Sequence, residues 1–198
     1  MYSIQGDFYK AIDYLQKNLM LCEELGYKKG IAKANNTLGD VFYYLKEYDR
    51  SLQYYDKAID ITREINNPLV LGSSLVEKGL VLLATKELDE AEAMLGEAIL
   101  LAAELGNPDL CFETDLFSAR LDAAAGHTES ALAKLEGLRN GITTLDQKAD
   151  AYFWTFRIDD SNEEVRQVAL DCYRELYKIS PRFVYKHRME RLEKKDAV

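Results

Sequence analysis

The chain has 198 residues, of which 47% are hydrophobic and 30% charged, with a formal net charge of -9. That composition belongs to a globular fold and excludes a disordered chain. The acidity argues against nonspecific binding to DNA or RNA, because neutralising phosphates takes clustered Lys and Arg.

The first element, about Gly6 to Leu25, carries Ile12, Leu15, Leu19 and Leu21 at helical spacing and stops at Gly26. The next, about Lys28 to Leu45, places Ile31, Asn35, Leu38 and Phe42 on one face. A short turn, Lys46-Glu47-Tyr48, leads into a helix from about Asp49 to Ile65, with Leu52, Tyr55, Ile59 and Ile61 or Thr62 on its apolar side. Asn66 follows, a residue type that accepts the left-handed backbone of a helix C-cap. Pro68 then suits the first turn of the following helix, where a missing N–H does no harm.

From here the chain repeats itself. Ala11, Ser51, Ala91 and Ala131 are spaced by 40 residues, three times over, each closing a similar five-residue motif. Glu24-Leu25-Gly26, Glu64-Ile65-Asn66 and Glu104-Leu105-Gly106 keep the same step, as do Asn67-Pro68 and Asn107-Pro108. Self-similarity at such a period marks a repeat array in which each helix pair buries its apolar face on its neighbours. The small residues at 11, 51, 91 and 131, with Gly39 and Gly79, let adjacent helices approach closely. After Pro181, residues Arg182 to Lys195 read as an amphipathic helix that caps the stack, with its basic residues forming a solvated face.

These units resemble the tetratricopeptide repeat. Leu38-Gly39, Phe42, Ser51, Tyr55 and Ala58 stand at the family's spacings, and so do Gly79, Leu82, Ala91, Leu95 and Ala98. The third pair departs at Ala119 and Asp122 but keeps Ala131 and Leu135. In the fourth, Arg157 takes the Gly position, while Ala169, Tyr173, Leu176 and Pro181 still match. The resemblance implies an all-α fold, a right-handed α-α superhelix of about four pairs with a leading unpaired helix and a C-terminal capping helix. The expected segments are 1–27 (half repeat), 28–67, 68–107, 108–144 (divergent), 145–181 (degenerate first helix) and 182–198 (cap). Tyr2 falls on the position of Phe42 and Leu82, so the array is expected to begin in mid-unit. It is then a segment of a longer array, or it pairs through its N-terminal helix with a second copy.

Chemistry is hard to find. His127 and His187 are 60 residues apart, and no metal-ligand spacing, P-loop or GxGxxG motif is present. No enzyme activity, cofactor or metal is expected. Cys22, Cys111 and Cys172 form no CxxC pair, which fits a cytoplasmic protein without disulfides. No stretch approaches 18 uninterrupted apolar residues and no signal peptide is visible, so no membrane partner is expected.

The family resemblance places a partner on the concave surface, lined by the first helix of each pair. Its inner positions correspond here to Lys33, Asn36, Asp40 and Tyr43, then Ser73, Val76, Leu80 and Leu83. Glu113, Leu116, Arg120 and Ala123 follow, and then Ala151, Trp154 and Ile158. One subset of the family clamps chaperone C-termini with basic and amide side chains. The matching positions here, Asn36, Asp40, Leu80, Leu116 and Arg120, do not supply that clamp. The apolar lining suits an amphipathic helix or extended peptide, although Val76, Leu80 and Leu116 equally suit contacts with neighbouring helices. The expected function is a non-catalytic protein- or peptide-binding scaffold in bacterial signalling or assembly. The alternative is a regulatory module of a larger signalling enzyme or transcription regulator. Nucleic acid is not an expected partner.

Overall fold

The structure is a computed structural model that describes residues 8–194. Among them are ten α-helices and no strand: α1 (Phe8–Glu24), α2 (Lys28–Tyr44), α3 (Tyr48–Glu64), α4 (Pro68–Thr85), α5 (Leu88–Leu105), α6 (Pro108–Ala124), α7 (Thr128–Asn140), α8 (Leu145–Ile158), α9 (Glu163–Ile179) and α10 (Phe183–Glu193). The sequence-based boundaries for α2 and α3 differ by one residue at the ends, because Tyr48 joins α3 rather than the turn. Contacts group these helices into two compact units, Asp7–Phe117 and a second that begins at Ser118. α6 runs through the boundary.

In the first unit α2 pairs with α3 and α4 with α5, while α1 packs on α2 and α3 on α4. The 40-residue clock governs how tightly each pair closes. Ser51 is buried and donates its Oγ to the Gly39 carbonyl at 2.8 Å, and Ala91 is fully buried at the same position of α5. A Cβ on Gly39 would lie 2.8 Å from the Tyr55 ring, so this glycine is needed for close approach within the pair. Gly79 differs: its missing Cβ makes room for Phe117 of α6. Thr62, not Ile61, completes the buried stripe of α3, its hydroxyl satisfied by the Ile59 carbonyl at 2.9 Å.

Helix starts follow the residues that can cap them. Asn67 and Asn107 accept from Val70 N and Leu110 N at 3.3 and 2.9 Å, each with proline next in the chain. α8 opens on a Thr-x-x-Gln box, in which Thr144 Oγ1 accepts from Gln147 N and Gln147 Oε1 accepts from Thr143 N. This box starts α8 at Leu145, the residue at which the sequence places the pair with the degenerate first helix.

Gly26, Asn66 and Gly106 adopt left-handed backbone at the ends of second helices, as the sequence predicts. Lys46, Lys86 and Gly126, again 40 apart, do so at the ends of first helices. A lysine at φ 68° carries steric strain that glycine avoids. Lys86→Gly is therefore expected to stabilise the chain by roughly 0.5 kcal/mol, the relief of strain exceeding glycine's larger unfolded-state entropy. A thermal midpoint that fell would refute this.

In the second unit α7 packs on α8, α8 on α9 and α9 on α10. Its core joins Ala149, Phe153 and Phe156 of α8, Val165, Ala169, Tyr173 and Leu176 of α9, and Tyr185 and Leu192 of α10. α10 is anchored at both ends. Tyr185 OH donates to Asp146 Oδ1 at 2.6 Å, and Arg166 Nε donates to the Leu192 carbonyl at 2.7 Å. The tail is thus a packed helix, as its sequence predicts, but its basic residues are not all solvated. Arg188 lies over the Phe153 ring at 4.2 Å, where a cation gains from the π face.

α4 alone among the described helices has the length and apolarity of a membrane span. It carries Glu77 and Lys78 at its middle, and Lys78 Nζ binds Asp56 Oδ1 of α3 at 2.6 Å. Leu71, Leu75, Val81 and Leu82 are buried, which is the pattern of a core helix clasped by α3 and α5.

Candidate functional site

The inner positions of the first unit stand on α2, α4 and α6, and hydrogen bonds lace these helices side by side. Asn36 Nδ2 donates to Ser74 Oγ at 2.8 Å, and that hydroxyl donates to the Val70 carbonyl at 2.8 Å. Ser73 Oγ donates to Glu113 Oε2 at 3.1 Å. Buried polar groups so paired cost little and fix the register of neighbouring helices.

Asp40 sits in this row, half-buried, and Tyr55 OH donates to its Oδ1 at 2.5 Å. Burial raises its carboxyl to about 6, against which the Tyr55 hydrogen bond pulls downward. Burial likewise pushes the Glu113 carboxyl up, with the Ser73 hydrogen bond opposing. Tyr55 itself is raised well above 10, first by burial and then by the Asp40 and Glu77 charges. Asp40, Glu77 and Glu113 give this face an acidic cast.

The remaining expected positions divide. Lys33 is exposed. Tyr43 is half-buried in an aromatic group with Tyr44 at 5.6 Å and Tyr48 at 6.0 Å. Leu80 and Leu83 are half-buried. Val76 and Leu116 are only 4% and 8% exposed and belong to the core. The face of this unit is consequently more polar than its sequence suggested, with Leu80 and Leu83 as its apolar part.

The second unit holds the other two. The Arg120 guanidinium stacks over Trp154 at 3.9 Å, and Arg188 approaches the same ring at 5.2 Å. Trp154 meets Phe153 edge-on at 5.3 Å. Its indole Nε1 is buried and finds no acceptor among the described residues. Asp122 does not join this group. Its carboxylate is taken by Lys134 at 2.7 Å and Ser130 at 2.6 Å, both on α7. Arg188 had no signal in sequence as an inner residue, because the tail reads as a capping helix with a wet basic side. Among the described residues no group of His, Cys, Asp and Glu could hold a metal ion.

Ionised Asp40 has a cost in stability. Its carboxyl is raised in the fold from 3.8 to about 6, so the charged form is the disfavoured one. The stabilising contribution is fully present below the unfolded value near 4 and is lost as pH rises through about 6. Asp40→Asn keeps an acceptor for Tyr55 and removes the charge. It is expected to raise stability at pH 7 by about 2 kcal/mol, with the advantage shrinking to nothing below pH ~4. Urea titrations of both proteins at pH 4 and 7 test this; an equal difference at the two values would refute it.

These helix pairs, with a small residue at each crossing and side-by-side first helices in the first unit, define a helical repeat scaffold. Residues 1–64 match the family model described as tetratricopeptide repeat. Solved structures extend the fold to nearly the whole chain. The Rap conjugation gene regulator of plasmid pLS20, in complex with the Phr* peptide, superposes with a TM-score of 0.74 at 18% identity, over 98% of this chain and 56% of that one. The apo form of RapI gives 0.70 at 15%, over 98% and 61%. TPR-like repeats from Podosopora anserina, described as nearly identical repeats of a kinesin light chain, give 0.59 at 12%, over 90% and 92%. At such identities the likeness is one of fold. This chain thus spans a little over half the length of the two Rap structures. No curated protein matches it by sequence.

Proposed function

We propose that the chain is a non-catalytic module that holds a peptide segment of a partner on the inner face of its first unit, in a bacterial signalling or regulatory system. The observation that carries this reading is the laced polar row of Asn36, Asp40, Ser73 and Glu113 beside half-buried Leu80 and Leu83. A half-buried carboxylate that destabilises the fold at neutral pH is what a site for a cationic group would retain. The partner is therefore a peptide with an Arg or Lys next to an apolar residue. The peptide complex of the Rap regulator supports the reading at the level of fold.

Panning a displayed library of short random peptides against the whole chain tests it, with affinities then measured by calorimetry. Enriched peptides should carry Lys or Arg, bind in the micromolar range, and lose about tenfold or more on Asp40→Asn and on Leu80→Glu. A library that yields no binder, or binders indifferent to both substitutions, would sink the proposal. A second reading, a repeat portion regulating a larger signalling enzyme or transcription regulator, is favoured by the shares of 56% and 61% covered in the Rap chains. Cytoplasmic location accompanies both readings.

A further inference from the structure

The 40-residue register lets the solvent faces of α3 and α5 be compared position by position. On α3 that face carries Gln53, Asp56, Asp60 and Arg63, all exposed and all polar. On α5 the same positions hold Ala93, Gly96, Leu100 and Ala103, again all exposed. Leu100 is 72% exposed, and Ile99 beside it 42%. A Cβ on Gly96 would meet nothing within 4 Å, so no contact within the chain calls for a glycine in mid-helix, where it costs about 1 kcal/mol. The spacing is specific. Positions 93, 96, 100 and 103 alternate steps of three and four, the a/d register of a two-helix seam and narrower than the stripe of a helix packed on a core. In that register Glu90, Glu97 and Glu104 recur every seven residues along one edge, with Glu92 on the other. α5 has no Lys, Arg or His to offset them. Glu97 is held by Arg63, which donates to its two oxygens at 2.9 and 2.8 Å. Glu90, Glu92 and Glu104 are exposed and form no ion pair with a described residue.

We propose that the outer face of α5 docks a basic amphipathic helix of a partner protein, one with an apolar a/d seam and Lys or Arg at the positions beside it. The small side chains let the two helix axes approach to about 8 Å. Large apolar side chains of the partner then lie over Gly96 and between Ala93 and Ala103, while Leu100 enters a hole in the partner helix. The partner's flanking cations meet Glu90 and Glu104 on one edge and Glu92 on the other, and such edge pairs choose between partners. The chain already makes one pair of this kind in Arg63 and Glu97. The same charges disfavour other occupants. A second copy of this face would set glutamate against glutamate, and an anionic lipid surface would be repelled.

A labelled synthetic helix of three heptads tests the proposal, with Leu at a and d, Lys at e and g, and Ala and Gln elsewhere. Titrated with the whole chain and followed by fluorescence anisotropy, it should bind with a dissociation constant of about 10–100 µM. A twin with Glu in place of Lys should bind at least about tenfold more weakly. Leu100→Glu and Gly96→Gln should each weaken the Lys peptide by about tenfold or more. Gly96→Gln should at the same time raise the chain's thermal midpoint, since Gln is the better helix former, so its loss of binding cannot come from unfolding. Glu90→Lys with Glu104→Lys should shift the preference toward the Glu twin. Asp40→Asn should leave binding unchanged, which separates this face from the inner one. No binding at about 500 µM overturns the proposal. So does binding indifferent to Leu100→Glu and Gly96→Gln, or a chain found to dimerise through Leu100. A peptide lost on Asp40→Asn but untouched by both seam substitutions would sit on the inner face and overturns it too.

Discussion

Gly79→Val is expected to destabilise the chain by about 3 kcal/mol. A Cβ at this position would lie 2.2 Å from Phe117 Cζ and 2.4 Å from Cε1, and the Phe117 ring is only 1% exposed. The ring therefore has no free volume to move into, and α4 and α6 must separate. Valine adds two γ-methyls to the clash and brings a β-branched penalty within the helix. The same scaffold offers an internal contrast. Gly96 of α5 faces open space, so Gly96→Ala should gain about 1 kcal/mol from helix propensity alone. Chemical denaturation of both variants reads the two signs together. Coupling is read by adding Phe117→Leu to Gly79→Val, which should recover part of the loss. Equal losses at both glycines would show that close approach at Gly79 is not what the glycine serves.

Phe153→Ala should cost about 3–5 kcal/mol, the largest single effect foreseen. Phe153 is fully buried, meets Tyr173 edge-on at 6.0 Å and Trp154 at 5.3 Å, and supports the Arg188 guanidinium at 4.2 Å. Removing the ring opens a cavity between α8 and α9 and strips Arg188 of its cover. In repeat arrays stability is a sum of local terms, so the loss should be felt mainly in the second unit. Trp154 is the sole tryptophan and stands in that unit, which makes its fluorescence a local probe. Its urea midpoint should fall by about 1–3 M, while circular dichroism retains the transition of the helices in Asp7–Phe117. A single coincident transition in the variant would refute local unfolding.

The repeat itself was legible because its residues do one job each. Small residues at 51, 91 and 131 and the prolines at 68 and 108 report a helix crossing or a helix start whatever surrounds them. The left-handed turns at Lys46 and Lys86 were not legible, since lysine carries no turn signal and the strain is borne by the pair it joins. Inner positions were legible only in part. Val76 and Leu116 match the spacing of a concave surface, but their burial depends on how closely successive first helices approach. The Asn36–Ser74 and Ser73–Glu113 bonds set that approach, and they join residues 38 and 40 apart whose pairing no local pattern announces. Asp40 could be placed on the right face from its position, but its raised carboxyl comes from burial.

The 40-residue spacing also has a mechanical meaning. A helix pair held only by its neighbours is a unit that can be peeled away. Stretched between its ends, the chain should lengthen in discrete increments as pairs such as 28–67 and 68–107 give way. Each would release about 40 residues, close to 14 nm of extended chain. The array would then act under load as a series of small yielding elements instead of one brittle body.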